Sequence, residues 1–331
     1  MNVALLSRWH VHADDYARAV HENDQLTIGL VWDEDAKRGE EWARELGVPF
    51  ECNLEAVLSN PEIDAVVVST PTNLHKEIIL AAASHNKHIF TEKVLDFTVQ
   101  DCEEIYEAVD AHDVMLMVSL PRLTEKEFLA AERALAEGWL GKLTMIRCRL
   151  AHNGAVLYDG KTEGWLPARF FNKQQTGGGA LIDLGAHPIY LTNRLAGKAQ
   201  AVSARLKRSN PNEVDESGAV LVDYQSGALG IIETSFLSHG SPFQLELYGT
   251  EGTLLCRNGS IQMTSMHHGN GEWINMESDL PDVSTPMEQW VAQISEGVMP
   301  TITREDVIQL TKINDGAALS DLEGRRVVFE L

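Results

Sequence analysis

The sequence predicts an α/β protein of two domains, with a doubly wound parallel sheet in the first and an open, mainly antiparallel sheet in the second. In the first part of the chain, nearly continuous apolar strands alternate with amphipathic helices, which is typical of a parallel sheet covered on both faces. After Pro121 the pattern changes to period-two segments and hairpin turns. Because 331 residues are many for one core, we expect domains at residues 1–120 and 121–331.

Strands and helices follow one another regularly in the first domain. The predicted strands are Asn2–Leu6, Leu26–Trp32, Ala65–Ser69, His88–Thr91 and Met115–Ser119. The predicted helices are Ala13–Glu22, Asp35–Leu46, His75–His85 and Val99–His112. This alternation is typical of nucleotide-binding proteins, but an architecture by itself establishes no function.

The second domain is predicted to be an α+β domain that begins with the helix Lys126–Glu137. Its period-two strands are Leu143–Ala151, Ala199–Lys207, Val220–Tyr224 and Ala228–Thr234. Helices at Pro286–Gly297 and Arg304–Leu322 close the chain. One face of the open sheet is expected to be exposed or covered by a partner.

Composition excludes several classes of partner. The chain has 27 basic and 49 acidic residues and a formal charge of -22, which repels phosphate backbones and anionic membrane surfaces. No apolar run is long enough to cross a bilayer, and no signal sequence precedes the first strand. The four scattered cysteines suggest neither a zinc knuckle nor a disulfide framework. We expect a cytoplasmic protein that binds neither nucleic acid nor membranes.

A segment of glycines, an aspartate and a histidine is the first candidate site. Gly177, Gly178 and Gly179 precede Asp183 and His187, and on a helix a spacing of four residues puts the carboxylate and the imidazole on one face. There an acid can support a histidine that acts as general base or acid. The alternative is an ordinary surface helix with a flexible entry.

A lysine at the end of a buried strand is the second candidate. Thr91, Glu92 and Lys93 follow the apolar run of the fourth predicted strand, and ligands of open α/β sheets bind at such strand ends. A desolvated lysine beside a cationic ring can exchange protons with a substrate hydroxyl. The alternative is a solvent-facing turn lysine.

Taken together, Ala65–His75, Glu92-Lys93 and the 177–187 segment resemble the glucose-fructose oxidoreductase and inositol 2-dehydrogenase (Gfo/Idh/MocA) family. The resemblance covers essentially the whole chain. It implies an N-terminal Rossmann domain and a C-terminal α/β domain that assembles dimers or tetramers through its open sheet. It also implies an NAD- or NADP-dependent oxidoreductase that acts on a sugar, cyclitol or polyol.

The resemblance assigns the catalytic roles. Lys93 matches the family's active-site lysine, and Asp183 and His187 match its acid and histidine. His187 would take the hydroxyl proton while a hydride passes to the nicotinamide, Lys93 would bind the developing alkoxide or carbonyl oxygen, and Asp183 would polarise His187.

For the cofactor, we expect NAD rather than NADP. Asp33 ends the second strand, where an acid accepts both ribose hydroxyls and repels a 2′-phosphate; its alternative role is in an acidic turn that caps the next helix. Four residues after the third strand resemble the family's nicotinamide loop, and Glu92-Lys93 completes that side. These four are Thr70, Pro71, Asn73 and His75, of which Asn73 and His75 alternatively cap a helix.

The phosphate-binding loop departs from the family pattern. Where a Gly-x-Gly-x-x-Gly fingerprint is expected, the chain reads Ser-Arg-Trp-His-Val-His at residues 7–12. Either three side chains replace the glycines, or the loop is about three residues shorter and His12 opens the first helix. In both cases the helix N-terminus, Ser7 and Arg8 can contact phosphate oxygens. His10 and His12 come without a nearby carboxylate or cysteine ligand set, so no metal is expected.

Four further positions complete the prediction. Val94 replaces the family's proline and relaxes the backbone beside Lys93. The resemblance places Arg122, Trp165 and Arg169 in segments that line the cleft in relatives, where they would contact substrate hydroxyls or stack on a sugar face; the alternative is packing and ion pairing between domains.

Three functions remain open from the sequence. The leading hypothesis is a sugar, cyclitol or polyol dehydrogenase or reductase. The second is a lyase or glycosidase that retains NAD and uses it transiently. The third is a non-catalytic regulatory relative whose lost glycines reflect lost cofactor binding.

Overall fold

The computed structural model describes residues 1–158, 164–209, 213–276 and 280–329. The strands are β1 (Asn2–Leu6), β2 (Thr27–Trp32), β3 (Ala65–Val68), β4 (His88–Thr91), β5 (Leu116–Val118), β6 (Leu143–Ala151), β7 (Ala199–Lys207), β8 (Ser217–Tyr224), β9 (Leu229–Ser235), β10 (Gln244–Gly249), β11 (Gly252–Arg257), β12 (Ser260–Ser265), β13 (Ile274–Asn275) and β14 (Val327–Val328). The helices are α1 (Ala13–Glu22), α2 (Ala36–Leu46), α3 (Leu54–Leu58), α4 (His75–Ser84), α5 (Val99–Ala111), α6 (Lys126–Ala136), α7 (Lys173–Thr176), α8 (Ala186–Ala196), α9 (Pro286–Glu296) and α10 (Arg304–Glu323).

The first compact unit holds residues 1–119 and 284–303 and is built on a parallel sheet with strand order β2-β1-β3-β4-β5. The residues of β3, and those of β1 after Asn2, are all buried, as expected for strands with helices on both faces. Strands β2 and β3 lie on opposite sides of β1, so the order in which strands are added to the sheet reverses between β1 and β3. Ligands of doubly wound sheets bind at the carboxyl ends of the strands beside such a switch point.

The bounds of this unit differ from the expected 1–120 in one segment. Helix α9 packs into it because the ring of Trp290 is fully buried and meets Phe90 of β4 edge to face, with 5.8 Å between ring centroids. Residues 284–303 therefore belong to the first unit although they follow the second in sequence.

The second unit holds residues 120–283 and 304–331 and is built on a nine-stranded sheet with the order β13-β12-β11-β10-β6-β9-β8-β7-β14. Neighbouring strands are antiparallel except β6 and β9, which run parallel. In β8, Val220 and Val222 are buried while Leu221 between them is exposed, the alternation of a sheet covered on one face. The predicted fold class is confirmed.

The structure corrects the expected helix through Asp183. Helix α8 begins only at Ala186, and Asp183 lies in the turns before it. Its backbone N–H binds the carbonyl of Gly179 at 3.1 Å, but the N–H of Gly185 binds the carbonyl of Ala180 five residues back, at 2.8 Å. The helical register is therefore broken between Asp183 and His187, and the prediction that both lie on one helix face is wrong.

No helix within the described ranges combines the length and the apolar character that crossing a membrane requires.

Candidate active site

The loop after β1 is shaped without glycine. Ser7 has a backbone φ of 77°, the left-handed conformation that the fingerprint's glycines adopt easily. Its hydroxyl accepts the Trp9 backbone N–H at 3.0 Å, and its own N–H binds the carbonyl of Trp32 at 2.7 Å. The His10 N–H then binds the carbonyl of Ser69 beyond β3, at 3.0 Å. Hydrogen bonds from a side chain and two neighbouring strand ends thus fix the short loop.

Asp33 is enclosed rather than presented to a ligand. Oδ2 accepts the Arg8 backbone N–H at 2.8 Å, and Oδ1 accepts that of Asp35 at 2.8 Å. The Arg38 guanidinium binds both oxygens, through Nε at 2.9 Å and a terminal nitrogen at 2.6 Å. A ribose contact at Asp33 therefore requires Arg38 to give up one oxygen. Arg38 follows Asp33 by five residues, a spacing that the sequence reasoning did not consider.

The loop after β3 holds one group suited to a ligand and one that is not. Thr70 is buried, and its hydroxyl has no hydrogen-bond partner among the described residues. Pro71 beside it is buried as well, and Asn73 is exposed. His75 is buried, with Nδ1 3.0 Å from the carbonyl oxygen of Val94 and Nε2 3.2 Å from that of Thr70. His75 thus ties this loop to the chain just after Lys93 and presents no face to a cofactor.

Glu92 and Lys93 are both buried at the carboxyl end of β4. The Glu92 carboxylate accepts the hydroxyl of Tyr16 and, at 2.7 Å, the backbone N–H of Lys93. Burial alone would raise the pKa of Glu92, but the charges of His10 and Lys93 outweigh it and lower that pKa. Glu92 is therefore a carboxylate at neutral pH. The peptide bond between Lys93 and Val94 is cis.

Tyr16 was missed by the sequence reasoning. It lies on α1 four residues after His12, one helical turn further on, and that spacing was the available signal. Burial, followed by the nearby charge of Glu92, raises the pKa of Tyr16, so its hydroxyl stays protonated and donates to that carboxylate.

The second unit holds His187 against a buried tyrosine. His187 Nδ1 lies 2.7 Å from the hydroxyl oxygen of Tyr190, which also accepts the backbone N–H of Arg122 at 3.2 Å. Both His187 and Asp183 are half-buried. Tyr190 follows His187 by three residues on α8, a helical spacing that again could have revealed it.

The glycines before Asp183 serve the backbone. The carboxylate of Asp215 accepts the N–H groups of Gly179 at 2.9 Å and Leu181 at 2.8 Å, and its carbonyl accepts that of Ala180 at 2.7 Å. A side chain at residue 179 would put Cβ 2.0 Å from the carbonyl oxygen of Asp215. Gly179 is thus required for this clamp, and Asp215 is a further residue that the sequence did not reveal.

The three predicted substrate residues differ in their availability. The Arg122 guanidinium binds Glu125 at 2.7 Å and stacks on the ring of Phe243 at 4.6 Å. Trp165 is 58% exposed, with its indole N–H bound to Asn153 at 3.2 Å and its ring 4.6 Å from that of His152. The Arg169 guanidinium lies 5.9 Å from the ring of Phe170.

Comparison with known proteins identifies the family. The model of an oxidoreductase family with an NAD-binding Rossmann fold matches residues 10–120, and that of the GFO/IDH/MocA C-terminal domain matches residues 128–255. The scyllo-inositol 2-dehydrogenase (NADP(+)) IolW of Bacillus subtilis is 32% identical over 302 residues, 84% of this chain and 82% of that protein.

The chain belongs to the Gfo/Idh/MocA family.

Two further relatives agree with this Gfo/Idh/MocA assignment. Levoglucosan dehydrogenase of Pseudarthrobacter phenanthrenivorans is 27% identical over 227 residues, which are 60% of this chain but only 57% of that protein. A crystal structure of levoglucosan dehydrogenase with NADH and levoglucosan has a TM-score of 0.81 and 21% identity, with all of both chains covered, and so shows the same fold. These matches confirm the predicted family, the oxidoreductase class and a nicotinamide dinucleotide as cofactor.

Within each unit of this Gfo/Idh/MocA protein, some predicted residues meet and others do not. The first unit brings His12 and Glu92 together, and the second joins His187 to Arg122 through Tyr190. Asp33 and His75 instead point into internal contacts.

Proposed function

We propose that this protein catalyses hydride transfer between a nicotinamide dinucleotide and a secondary alcohol of a sugar, cyclitol or polyol. Relatives named as dehydrogenases of levoglucosan and scyllo-inositol support this substrate class. The observation that carries the proposal is a buried lysine, Lys93, at the carboxyl end of β4 in a family-matched NAD-binding domain.

The first unit fits a dinucleotide at two points. The buried Thr70 hydroxyl lacks a partner among the described residues, and a polar ligand group would satisfy it. Ser7 holds the left-handed backbone conformation that a phosphate-binding loop takes from glycine. Asp33 fits only if Arg38 shifts from its carboxylate.

The proposed roles follow from the chemistry of alcohol oxidation. When bound, the nicotinamide supplies the hydride acceptor, or the donor in reduction. Because Nδ1 of His187 is bound to Tyr190, we assign proton exchange with the substrate hydroxyl to Nε2. Lys93 hydrogen-bonds the substrate oxygen and stabilises its developing negative charge. We assign Asp183, just before α8, to the support of His187.

For the cofactor we propose NAD in preference to NADP. Both arginines near the end of β2 already pair with two carboxylates each, so the surrounding charge opposes a 2′-phosphate. The pairs are Arg8 with Asp14 and Glu45, and Arg38 with Asp33 and Glu34. Calorimetry with both dinucleotides tests this, and tighter binding of NADP would contradict it.

We further propose a cytoplasmic homodimer or homotetramer that assembles through the exposed face of the nine-stranded sheet. Leu221 in β8 and Val328 in β14 are exposed there. Sedimentation of the wild type and Leu221→Glu tests this assembly. A monomeric wild type, or an unchanged oligomer in the variant, would contradict it.

The decisive experiment removes the lysine. Lys93→Met should lower kcat by at least about 100-fold on the substrate found in a panel of sugars and polyols. The control is Lys76→Met, because Lys76 pairs with Asp101 and Glu104 away from the proposed chemistry. Near-native activity of Lys93→Met would overturn the assignment.

The same preparation distinguishes the two alternatives. Co-purified NAD with no net change in nicotinamide absorbance during turnover would indicate a lyase or glycosidase. Failure to bind either dinucleotide would indicate a non-catalytic relative.

A further inference from the structure

The first unit gathers a set of metal-ligating side chains that the sequence separates. His10 and His12 come from the loop after β1, and Glu92 from the end of β4; one ligand atom from each lies within 4.8 Å of the others. The expectation of no metal rested on the lack of a ligand set near the two histidines in the sequence, and the fold supplies a third ligand, Glu92, from a distant strand. We propose that His10, His12 and Glu92 bind a divalent first-row transition-metal ion.

Two of the three ligands already have the required spacing. Nδ1 of His10 lies 3.4 Å from a carboxylate oxygen of Glu92. With metal–ligand bonds of about 2.0–2.1 Å, two ligands of one tetrahedral zinc ion stand about 3.3 Å apart. Only the third ligand must move closer, and the His12 side chain is 48% exposed and can turn.

A metal ion would replace the direct contact between His10 and Glu92. Nδ1 of His10 lies 3.4 Å from a carboxylate oxygen of Glu92 and 3.3 Å from the backbone nitrogen of His12. Because Nδ1 has one lone pair, a metal ion bound there would take the place of the long hydrogen bond from the His12 N–H. The imidazole and the carboxylate would then both bind the ion.

The surrounding residues resemble the support that metal ligands usually have. Asp15 lies 3.1 Å from Nδ1 of His12, the arrangement in which a carboxylate holds a histidine and directs Nε2 to a metal. The hydroxyl of Tyr16 binds Glu92 and fixes the orientation of that carboxylate.

Two imidazoles and one carboxylate suit zinc, iron, cobalt or nickel rather than magnesium or calcium. Three protein ligands leave coordination positions open, as in sites where water or a substrate oxygen completes the shell. The set lies at the carboxyl ends of β1 and β4, where ligands of such sheets bind. Metal binding here does not depend on the proposed hydride transfer.

The test is metal binding to the full chain after removal of bound ions with a chelator. Calorimetry with Zn²⁺ and absorption spectroscopy with Co²⁺ should both give one ion per chain. His12→Ala should weaken Zn²⁺ binding by at least about 100-fold and Asp15→Asn by roughly 10-fold. His21→Ala, a change of an exposed histidine on the same helix, should leave the affinity unchanged.

Binding that is absent in the wild type, or equally tight in His12→Ala, would overturn the proposal. Because His12 is half exposed, this variant should fold. Thermal unfolding provides a second readout, since Zn²⁺ should raise the midpoint of the wild type and not that of His12→Ala.

Discussion

The loop of residues 7–12 in the first unit and the segment of residues 177–187 in the second both contain a residue in the left-handed backbone conformation, but they differ in glycine content. The first contains no glycine, whereas the second has glycine at residues 177, 178, 179 and 185. Each is nevertheless held by one buried aspartate: Asp33 accepts the backbone N–H of Arg8, and Asp215 accepts those of Gly179 and Leu181.

The difference teaches that glycine content does not measure the capacity to bind a ligand. In the second unit, Gly179 is needed because the backbone of Asp215 approaches closely. In the first unit, the left-handed turn is made by Ser7, whose hydroxyl adds a hydrogen bond that glycine could not make. Gly179 of the second segment is thus required by the structure, and in the first loop Ser7 takes the left-handed conformation without glycine.

The largest expected effect comes from the close approach in the second unit. Gly179→Ala should lower the free energy of unfolding by at least about 3 kcal/mol, because its Cβ would lie 2.0 Å from a backbone oxygen. Gly178→Ala is the matched control, since its Cβ would meet side chains and no backbone atom, with Ile182 at 3.1 Å and Asp215 at 3.7 Å. Denaturant unfolding measures both, and equal stabilities would show that Gly179 is not needed for the clamp.

The corresponding change in the first unit is Asp33→Asn, which should lower the free energy of unfolding by about 2–4 kcal/mol. Both carboxylate oxygens of Asp33 accept N–H groups. In the asparagine variant, the side-chain NH2 group would face N–H donors and could not accept their hydrogen bonds. Asp35→Asn serves as control because asparagine caps a helix as well as aspartate does. Equal thermal midpoints for the two variants would refute the role of Asp33 as the anchor of this loop.

A smaller effect is expected for the hydroxyl that holds His187. Tyr190→Phe should lower kcat by roughly 10-fold and shift the pH dependence of kcat, because Nδ1 loses its partner. Tyr224→Phe removes another buried hydroxyl, bound to Thr192 at 2.9 Å, and should leave that pH profile unchanged. Identical profiles for both variants would mean that Tyr190 does not position His187.

The smallest expected effect is a change in how steeply the free energy of unfolding depends on pH, and it comes from His75 of the first unit. Burial lowers the pKa of His75 more than the surrounding carbonyl oxygens raise it. Between the lowered pKa and the unfolded value of about 6.5, the unfolded chain binds more protons, so the free energy of unfolding falls as the pH falls. His75→Gln should reduce this slope between about pH 5 and pH 7. A steeper slope in the variant would contradict a neutral, buried His75.

Local patterns predicted most of the fold. The bounds of β1, β4, β6, β7 and α1 coincide with the predicted ones, because burial periodicity marks such elements directly. The five-residue helix α3 was not predicted, since one turn shows no periodicity. The break before α8 was also missed, because it depends on the contact of Gly179 with Asp215, 36 residues later.

The candidate site, like the fold, was predicted from the sequence only in part. Lys93, Asp183 and His187 were named from the sequence through their motifs, and their catalytic roles stay predictions. The partners that orient the site residues, Arg38, Tyr16 and Tyr190, were not predicted, because spacing along a helix does not by itself show which side chains pair in the folded chain.

By itself, the sequence determined the two kinds of sheet and the family and predicted the candidate acid–base groups, because hydrophobic period and short motifs are local. Only the tertiary structure decided that Asp33 is paired with Arg38, that Gly179 serves Asp215, and that Glu92 joins His10 and His12. The physical reason is that burial and pairing fix what a charged side chain can do. The pairing partners come from strands and loops far apart along the chain.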